Sequence, residues 1–322
     1  MGRAQAQAER RGNCGLGRYG LGDHGMMFSI VIPVFNRADS ILPTLRSVEA
    51  QTYRDFECLI VDDGSSDNLE QVVASLNDSR FRYVRQENRG ANAARNHGID
   101  EAAGEYIDFL DSDDLWLPNK LQVEASELEK FPDRVLFSNS LRDRGVGRLL
   151  RRRPQAMSSD CDVANYLFIQ HQFIQTPTLC LKREAAAAVR WDEELRARQD
   201  FDFCLRLRAH GYLFHFIDEP LVIWRDVTDA GRTSHAGGLA ASLHFLEKNQ
   251  RLMSWRARQG YRATVLAYDL AKERPFTAMK DLALGLVAGV SPIIIARQTA
   301  RAFLPRGAYR RLVNNYARLA GR

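Results

Sequence analysis

Three carboxylates follow one apolar, strand-like run, 106–110, within four residues. The segment after that run reads Asp111, Ser112, Asp113 and Asp114. Carboxylates this close repel one another and raise each other's pKa values unless a cation lies between them. Hard oxygen ligands suit Mg²⁺ or Mn²⁺, particularly where a phosphate group supplies the remaining ligands. The spacing therefore favours a divalent metal site, with a solvated acidic turn before a helix near Pro118 as the plain alternative.

The elements that would hold this segment are strands and helices in alternation. Apolar, β-branched runs at 28–35, 56–61, 81–84, 106–110 and 135–138 predict five strands. Helical patterns fall between them at about 41–50, 69–76, 90–103 and 117–130. This alternation is typical of βαβ units, and hence of a mostly parallel sheet with helices on both faces. The predicted fold class is α/β.

Polar residues follow three of the predicted strands at the point where each strand ends. The first strand leads into Asn36 and Arg37, the second into Asp62 and Asp63, and the fourth into the acidic segment. Ligands of parallel sheets bind beyond the carboxyl ends of the strands. The turn after the first strand has no glycine, and no Walker loop is present. Dinucleotide-binding, P-loop and nucleotidyltransferase sites are therefore disfavoured.

The composition indicates a globular protein. The chain has 322 residues, 45% of them apolar, and a formal net charge of +5, which allows one large domain with additions or two domains. Its five cysteines are widely spaced and form no C-x-x-C pair, which predicts reduced thiols in a cytoplasmic protein. Residues 1–27 lack an apolar period and the apolar core of a signal peptide, so we expect a flexible extension there.

Five groups of residues, in a fixed order, give the chain a family resemblance. The first two groups are 29–36 and Val61-Asp62-Asp63-Gly64-Ser65-Ser66-Asp67. The third group consists of two short motifs, Asn88-Arg89-Gly90 and Ala94-Arg95-Asn96. The fourth and fifth groups are Gly104-Glu105-Tyr106-Ile107 and Phe109-Leu110-Asp111-Ser112-Asp113-Asp114. A looser match continues to Gln199-Asp200 and Leu205-Arg206-Leu207. Over about 28–224 the chain resembles the family 2 glycosyltransferases. The resemblance implies a GT-A fold and inverting transfer of a sugar from a nucleotide-diphosphate sugar.

The resemblance also implies which residues bind the donor. The turn after the first strand would line the nucleotide pocket with Pro33, Val34, Phe35, Asn36 and Arg37. Asp63 would accept a hydrogen bond from the base. Asp111 and Asp113, with Ser112 between them, would contact the ribose and a Mn²⁺ or Mg²⁺ ion bridging the two phosphates, and Asp114 is a third candidate ligand. Arg89 and Arg95 are both candidates for nucleotide or phosphate contact, with a helix-surface ion pair as the alternative for Arg95.

Direct displacement at the sugar needs a base for the acceptor hydroxyl. In the family this base is an acidic residue that opens a helix beyond the D-x-D, and Asp200 matches that position. Its competitors are Asp192, Glu193, Glu194 and Asp202. The structural alternative is that Asp200 only caps its helix or complements the helix dipole. Trp191 and Trp224 are candidate sugar platforms, although core packing is the more ordinary role for such residues.

The predicted substrates are a nucleotide-diphosphate sugar, a UDP-sugar by default, and a hydroxyl of a glycan or lipid-linked acceptor in surface polysaccharide synthesis. The Q-x-x-R-W motif of processive members is missing, which favours addition of one or a few sugars. A non-catalytic sugar-nucleotide-binding scaffold is the alternative, and metal-dependent release of nucleoside diphosphate discriminates between them. No nucleic-acid partner is predicted, and the sequence does not specify an oligomeric state.

The predicted organisation is a flexible extension, a glycosyltransferase domain over 28–235 and a helical, basic region over 236–322. The domain would comprise a nucleotide-sugar-binding half, 28–140, and an acceptor half, 141–235. The uncharged stretch 282–296 is interrupted by Pro292 and is shorter than the roughly 20 residues that span a bilayer.

The C-terminal region also predicts a partner. From Arg297 to Arg322 the chain carries seven arginines and no acidic residue. Basic residues beside an apolar helix predict peripheral attachment to an anionic membrane, at its cytoplasmic face. The alternative is a core helix followed by a solvated tail. The arginine-rich segment 142–153 is a second candidate for an anionic partner, and a mobile surface loop is its ordinary interpretation.

Overall fold

A computed structural model describes residues 27–145, 147, 149–151, 155–158, 161–226, 238–305, 307–309, 311 and 313. It confirms the α/β class and contains one central sheet. The strands are β1 (Phe28–Val34), β2 (Phe56–Asp62), β3 (Phe81–Arg85), β4 (Tyr106–Phe109), β5 (Leu115–Trp116), β6 (Val135–Asp143), β7 (Leu149–Arg151), β8 (Leu179–Lys182) and β9 (Phe214–Arg225). The predicted extension, 1–27, lies outside the described residues except for Met27.

Helices cover both faces of this sheet and form the region after it. They are α1 (Leu42–Glu49), α2 (Leu69–Ala74), α3 (Ala91–Glu101), α4 (Lys120–Leu128), α5 (Val163–Phe168), α6 (Arg183–Val189), α7 (Gln199–Ala209), α8 (Gly238–Asn249), α9 (Trp255–Tyr261), α10 (Ala267–Leu270), α11 (Pro275–Ala288) and α12 (Pro292–Phe303). None of the helices within the described ranges is long and apolar enough to cross a membrane.

The sheet has the order β3-β2-β1-β4-β8-β6-β9-β5, and β7 pairs with β6. The strands from β3 to β4 are all parallel, as predicted. Beyond them the sheet is mixed, because β8 runs antiparallel to both of its neighbours and β5 runs antiparallel to β9. An apolar run such as that of β8 indicates a strand but carries no information on its direction.

The two faces of the sheet bury two apolar cores. Every residue of β1 and β2 is buried, as expected for parallel strands covered on both sides. Helix α3 lies close against β1, since a Cβ atom at Gly98 would come within 2.3 Å of Val31. The core that includes Val31 continues without interruption to Phe245, Leu282 and Ile295. The helices after 235 therefore share a core with the sheet, while the predicted domain boundary there stays a prediction.

The segment 142–153 differs from the predicted loop. Its first two residues extend β6, and β7 pairs back onto β6 through Arg151 opposite Leu141. Arg142 and Arg144 both form ion pairs with Asp226. Pairing with a neighbouring strand, not local propensity, makes this arginine-rich stretch extended. Arg148, Arg152 and Arg153 lie outside the described residues.

Candidate active site

The carboxyl ends of β1, β2 and β4 meet at one edge of the sheet. Residue Val34 pairs with Asp62 across β1 and β2, and Val31 pairs with Phe109 across β1 and β4. The segments that follow these strands therefore lie side by side, as the sequence predicted. This edge holds most of the predicted site residues: Pro33, Val34, Phe35, Asn36, Arg37, Asp63, Asp111, Ser112, Asp113 and Asp114.

Arg95 and Asp111 form an ion pair at the base of this edge. An Nη2 hydrogen of Arg95 is donated to Asp111 Oδ1 over 2.7 Å, and Nη1 donates to Asn92 over 2.9 Å. The guanidinium also lies 4.8 Å from the centroid of the Trp191 ring, which adds a cation–π attraction. The Arg95 side chain is 7% exposed. The arginine thus lies within the site, and not on a helix surface as its alternative interpretation required.

The remaining acidic residues of the D-x-D segment have different surroundings. Asp113 is 39% exposed, and its Oδ2 lies 3.3 Å from Arg37 Nη1. Asp114 is buried, and its carboxylate accepts a hydrogen bond of 2.9 Å from the backbone N–H of Arg225. Ser112 is buried as well. Asp111 and Asp113 are therefore the accessible pair, and the contact with β9 disfavours Asp114 as a metal ligand.

The donor set fits a hard divalent cation. Asp111 and Asp113 offer carboxylate oxygens that are 34% and 39% exposed, and Mg²⁺ often takes only one or two carboxylates beside substrate phosphates. Among the described residues, only Asp108, Glu124 and Cys180 bring three ligand atoms within 4.8 Å of one another. That second group is fully buried around Lys120 and does not reach the edge of the sheet.

The turn after β1 is fixed by the turn after β2. Asn36 has a positive φ of 50°, which asparagine tolerates better than most residues. Its N–H donates to Ser65 Oγ over 2.8 Å, and its Oδ1 accepts from the N–H of Ser66 over 2.8 Å. Asp67 similarly accepts from the N–H of Ala38. The serine-rich motif therefore shapes the predicted nucleotide pocket, and the side chain of Phe35 is exposed beside it.

Asp63 is buried under the segment that precedes α3. Its carboxylate accepts hydrogen bonds from the Gln86 side chain and from the N–H groups of Arg89 and Gly90, over 2.7–2.9 Å. A carboxylate has about four acceptor positions, so these contacts occupy most of them. Recognition of the base by Asp63 stays a prediction, and its observed contacts order the loop at 86–90.

Arg89 pairs with an acidic residue outside the D-x-D segment. Its side chain is 63% exposed, and Nη2 donates to Glu193 over 2.6 Å. Asp111, by contrast, is paired with Arg95. Of the two arginines between which the sequence did not choose, Arg95 is the one in contact with the D-x-D segment.

Asp200 lies in the first turn of α7, near the D-x-D segment. The pKa of its carboxyl group is raised to about 6, mainly by burial and to a smaller extent by the Asp111 carboxylate. The hydrogen bond from the Phe201 N–H and the guanidinium groups of Arg198 and Arg95 act in the opposite direction. A base works best when its pKa lies near the working pH. Two residues far apart in sequence, Asp111 and Asp200, thus belong to one electrostatic site.

The four competitors for the role of base have other partners. Asp192 pairs with Lys248, and Glu193 pairs with Arg89. Asp202 is buried and accepts from Arg206 and Asn249, while Glu194 is highly exposed near Lys248. Because these contacts are ion pairs or core hydrogen bonds, the structure favours Asp200 among the five.

Sequence reasoning missed the residues that hold the segment before Asp200. Arg198 has a positive φ of 66°, and its Nη2 donates to Ser242 over 3.0 Å and to Asp269 over 3.1 Å. These partners belong to α8 and α10. The helices after 235 therefore position the predicted base. No local sequence motif predicts these contacts, since each one joins residues that are distant in sequence.

The two candidate sugar platforms are placed differently. Trp191 is buried and stacks on Phe203 with ring centroids 4.2 Å apart, which is a core role beneath Arg95. Trp224 lies on β9, and the Arg142 guanidinium lies 4.7 Å from its ring centroid.

A cavity of about 430 Å³ bounded by Val135 and Leu213 lies at the opposite end of β6, away from the edge that carries the predicted site residues.

Comparison with known proteins identifies the family. The family model described as Glycosyl transferase family 2 matches residues 29–189, half of the chain. AmsB, the amylovoran biosynthesis glycosyltransferase of Erwinia amylovora, is 36% identical over 248 residues, which cover 73% of this chain and 82% of AmsB. The chain belongs to glycosyltransferase family 2.

Another relative of this family 2 glycosyltransferase has a named reaction. The Escherichia coli UDP-Glc:α-D-GlcNAc-diphosphoundecaprenol β-1,3-glucosyltransferase WfgD is 39% identical over 114 residues, covering 35% of this chain and 45% of WfgD. This glycosyltransferase thus spans less than half of WfgD.

Solved structures confirm the GT-A fold of the family 2 enzyme. S. aureus TarS 1–349 in complex with UDP-GlcNAc gives a TM-score of 0.58 at 18% identity, covering 91% of this chain and 92% of TarS 1–349. Mannosyltransferase PcManGT of Pyrobaculum calidifontis, in complex with GDP-Man and Mn²⁺, gives a TM-score of 0.57 at 19% identity, covering 90% and 84%. At such identities the likeness supports the fold alone.

Proposed function

We propose that this enzyme is a metal-dependent, inverting and non-processive glycosyltransferase. It transfers a sugar from a nucleotide-diphosphate sugar to a hydroxyl of a glycan or lipid-linked acceptor. The observation that carries the proposal is the proximity of Asp200 to Asp111 and Arg95, which influence its pKa. This proximity supports a shared reaction centre for a base and a donor-binding carboxylate.

On the donor side, the turn 33–37 would form the wall of the nucleotide pocket, and Asp111 and Asp113 would hold a Mn²⁺ or Mg²⁺ ion. When bound, this ion supplies Lewis-acid stabilisation of the charge that develops on the leaving nucleoside diphosphate. Arg95 fixes the Asp111 carboxylate over 2.7 Å, and Arg37 lies beside Asp113. Preorganised carboxylates need little rearrangement when the donor binds.

On the acceptor side, Asp200 removes the proton of the attacking hydroxyl as the new glycosidic bond forms. Attack occurs on the face of the sugar opposite the leaving diphosphate, so the anomeric configuration inverts. Desolvation, the largest influence on the Asp200 carboxyl, raises its pKa and makes its carboxylate a stronger base. Arg198 anchors the start of α7 through Asp269 and positions this base.

The relatives support a role in polysaccharide synthesis. AmsB is named for amylovoran biosynthesis and WfgD for transfer from UDP-Glc to a diphosphoundecaprenol-linked sugar. A UDP-sugar donor and a lipid-linked acceptor are therefore our proposal for this chain. PcManGT, by contrast, is in complex with GDP-Man. A binding titration that compares UDP with GDP therefore tests which base the donor of this chain carries.

The metal assignment is tested with Asp113→Ala. This change removes one accessible carboxylate, and we expect it to abolish transfer and to weaken UDP binding mainly when Mn²⁺ is present. Calorimetric titration of UDP with and without Mn²⁺ measures the effect. Asp133→Ala is the matched control, because Asp133 is 81% exposed and pairs with Lys182 elsewhere. Equal metal-dependent affinity in Asp113→Ala and the parent would overturn the assignment.

Helices α11 and α12 support peripheral membrane attachment. The exposed fractions of Phe276, Val287 and Ile293 are 86%, 74% and 81%, which is unusual for large apolar side chains. Lys280 and Arg297 are exposed on the same helices, so the surface combines apolar groups with positive charge. Such a surface suits the interface of an anionic bilayer. The predicted basic tail, 314–322, lies outside the described residues.

A triple variant tests this attachment. Truncation near Asp281 would remove Ile295 from the core, so surface changes are preferable. We expect Phe276→Gln, Val287→Gln and Ile293→Gln together to reduce sedimentation with phosphatidylglycerol vesicles at low salt. The control changes Leu243 and Leu252, which are exposed on α8 and just after it, to Gln. Unchanged sedimentation of the triple variant would contradict the proposed face.

A further inference from the structure

A polar cavity lies beside the proposed reaction centre. Its volume is about 250 Å³, somewhat below the roughly 300 Å³ at which pockets for drug-sized ligands begin. Its wall comprises residues from β6 and β9, the loop before β8, and α12. Asn139, Gln172 and Gln175 contribute amide groups, Phe216 contributes an aromatic ring, and Arg297 contributes a positive charge. None of the described residues that line it is acidic.

The strand register places this cavity at the same edge as the D-x-D segment. Asp108 of β4 pairs with Cys180 of β8, and Cys180 pairs with Leu136 of β6. Asn139 lies three residues beyond Leu136 on β6, and Asp111 lies three residues beyond Asp108, two residues past the end of β4. Only β8 separates β4 from β6, and neighbouring strands are about 4.8 Å apart, so these two strands lie roughly 10 Å apart.

Aromatic contact also connects the cavity to the proposed base. Phe173, a lining residue, lies with its ring centroid 6.4 Å from that of Phe201. Phe201 directly follows Asp200, and its N–H donates to the Asp200 carboxylate over 2.9 Å. A ligand in the cavity would therefore lie near the first turn of α7, which carries the residue that accepts a proton in the proposed reaction.

Two features indicate that the cavity is built for a ligand. Ser138 lines it and is only 6% exposed, yet no described residue pairs with its hydroxyl group. An unpaired buried hydroxyl costs free energy. His171 has a positive φ of 52°, and its Nε2 lies 2.6 Å from the amide nitrogen of Gln298 on α12. Non-glycine residues in that conformation cost free energy and are concentrated at active sites and ligand-binding segments.

We propose that this cavity binds the terminal sugar ring of the acceptor and that Arg297 binds an anionic group carried by that sugar. The inference rests on the proposed transferase function and names its acceptor class. Amide groups and hydroxyls hydrogen-bond to sugar hydroxyls, and the Phe216 ring packs against the apolar face of a pyranose. The anionic group is a carboxylate on the ring or a phosphate at its reducing end.

Binding is measured by ligand-observed saturation-transfer NMR with excess UDP and Mn²⁺, which keep the donor site occupied. The probes are methyl glucoside, methyl glucuronide and N-acetylglucosamine 1-phosphate. We expect one anionic probe to bind about three- to tenfold tighter than methyl glucoside, as one charge-assisted contact predicts. Arg297→Gln should remove this preference, while Arg251→Gln, a change at an exposed arginine, should retain it. The anionic probe whose tighter binding is lost in Arg297→Gln shows whether the acceptor carries a carboxylate on the ring or a phosphate at its reducing end.

Ser138→Ala supplies an independent test. Removing an unpaired buried hydroxyl should leave the thermal stability of the free protein equal or higher, and should weaken sugar binding about threefold to tenfold. Ser126→Ala on the exposed face of α4 is the control. Absence of binding by all three probes, or unchanged binding in Ser138→Ala, would overturn the inference. Failure of UDP to bind the parent protein would instead count against the proposed donor site, since the sugar titration can be repeated without UDP.

Discussion

Two groups of carboxylates lie three residues apart along the fourth strand and have opposite surroundings. Asp108 points into the core, where Lys120 pairs with both Asp108 and Glu124 and all three side chains are fully buried. Asp111 and Asp113 lie just beyond the strand end and are about one-third exposed. The inner group contains its own cation, whereas the outer group is open to an external one.

The difference follows from the solvation of charge. Burial and the neighbouring Asp108 raise the pKa of Glu124, although Lys120 lowers it, so the inner group depends on Lys120 for its counter-charge. Burying charge is tolerated only when the ions are paired. At the sheet edge, arginines hold the carboxylates in place without enclosing them. The inner group therefore serves stability, and the outer group is the one that we propose binds the donor and its metal.

The largest expected effect comes from removing the inner cation. Lys120→Ala leaves Asp108 unpaired in the core and should lower the free energy of unfolding by about 3–5 kcal/mol. Urea denaturation followed by circular dichroism measures this change. Lys130→Ala is the matched control, because Lys130 is 60% exposed and pairs with Glu127 at the surface. The comparison fails if both variants lose the same stability.

The next effect is on turnover, at the outer group. Asp200→Asn keeps the size of the side chain but removes its basicity, and should reduce kcat by at least about a hundredfold. UDP affinity should stay close to that of the parent. Thermal stability should not fall, because the ionised carboxyl is disfavoured at this site. Near-normal turnover would move the base to another residue, and a loss of folding would favour the helix-cap alternative.

A smaller effect is the pH dependence of the reaction. The pKa of Asp200 is raised to about 6, so the base is ionised above pH 6 and becomes protonated as the pH falls through that value. We expect kcat/KM to fall about tenfold for each unit below pH 6. For stability the sign is opposite, since a raised carboxyl pKa disfavours the fold above pH 6 and this cost is relieved on acidification. A profile that is flat from pH 7 to 5 would exclude Asp200 as the titrating base.

Much of the donor half could be predicted from sequence. Strands β1, β2 and β4 are buried on both faces and therefore appear as nearly continuous apolar runs, and the edge where they end carries the predicted polar residues. Strands β5 and β7 were not predicted, because two or three residues carry no periodic signal. The choice of Arg95 over Arg89 also required the structure, since both arginines follow similar motifs and only the packing of α3 against β1 and β2 brings Arg95 to Asp111.

The sequence by itself determined the α/β class, the family resemblance and the acidic segment at the end of β4. These properties can be read from short stretches of sequence. The spacing of apolar residues identifies each strand or helix, and the residues that follow a strand are its immediate neighbours in the chain. Only the tertiary structure decided the reversed direction of β8, the burial of Asp108 with Lys120, and the proximity of Asp200 to Asp111. Each depends on contacts between segments distant along the chain, whose pairing is fixed by the packing of the whole sheet.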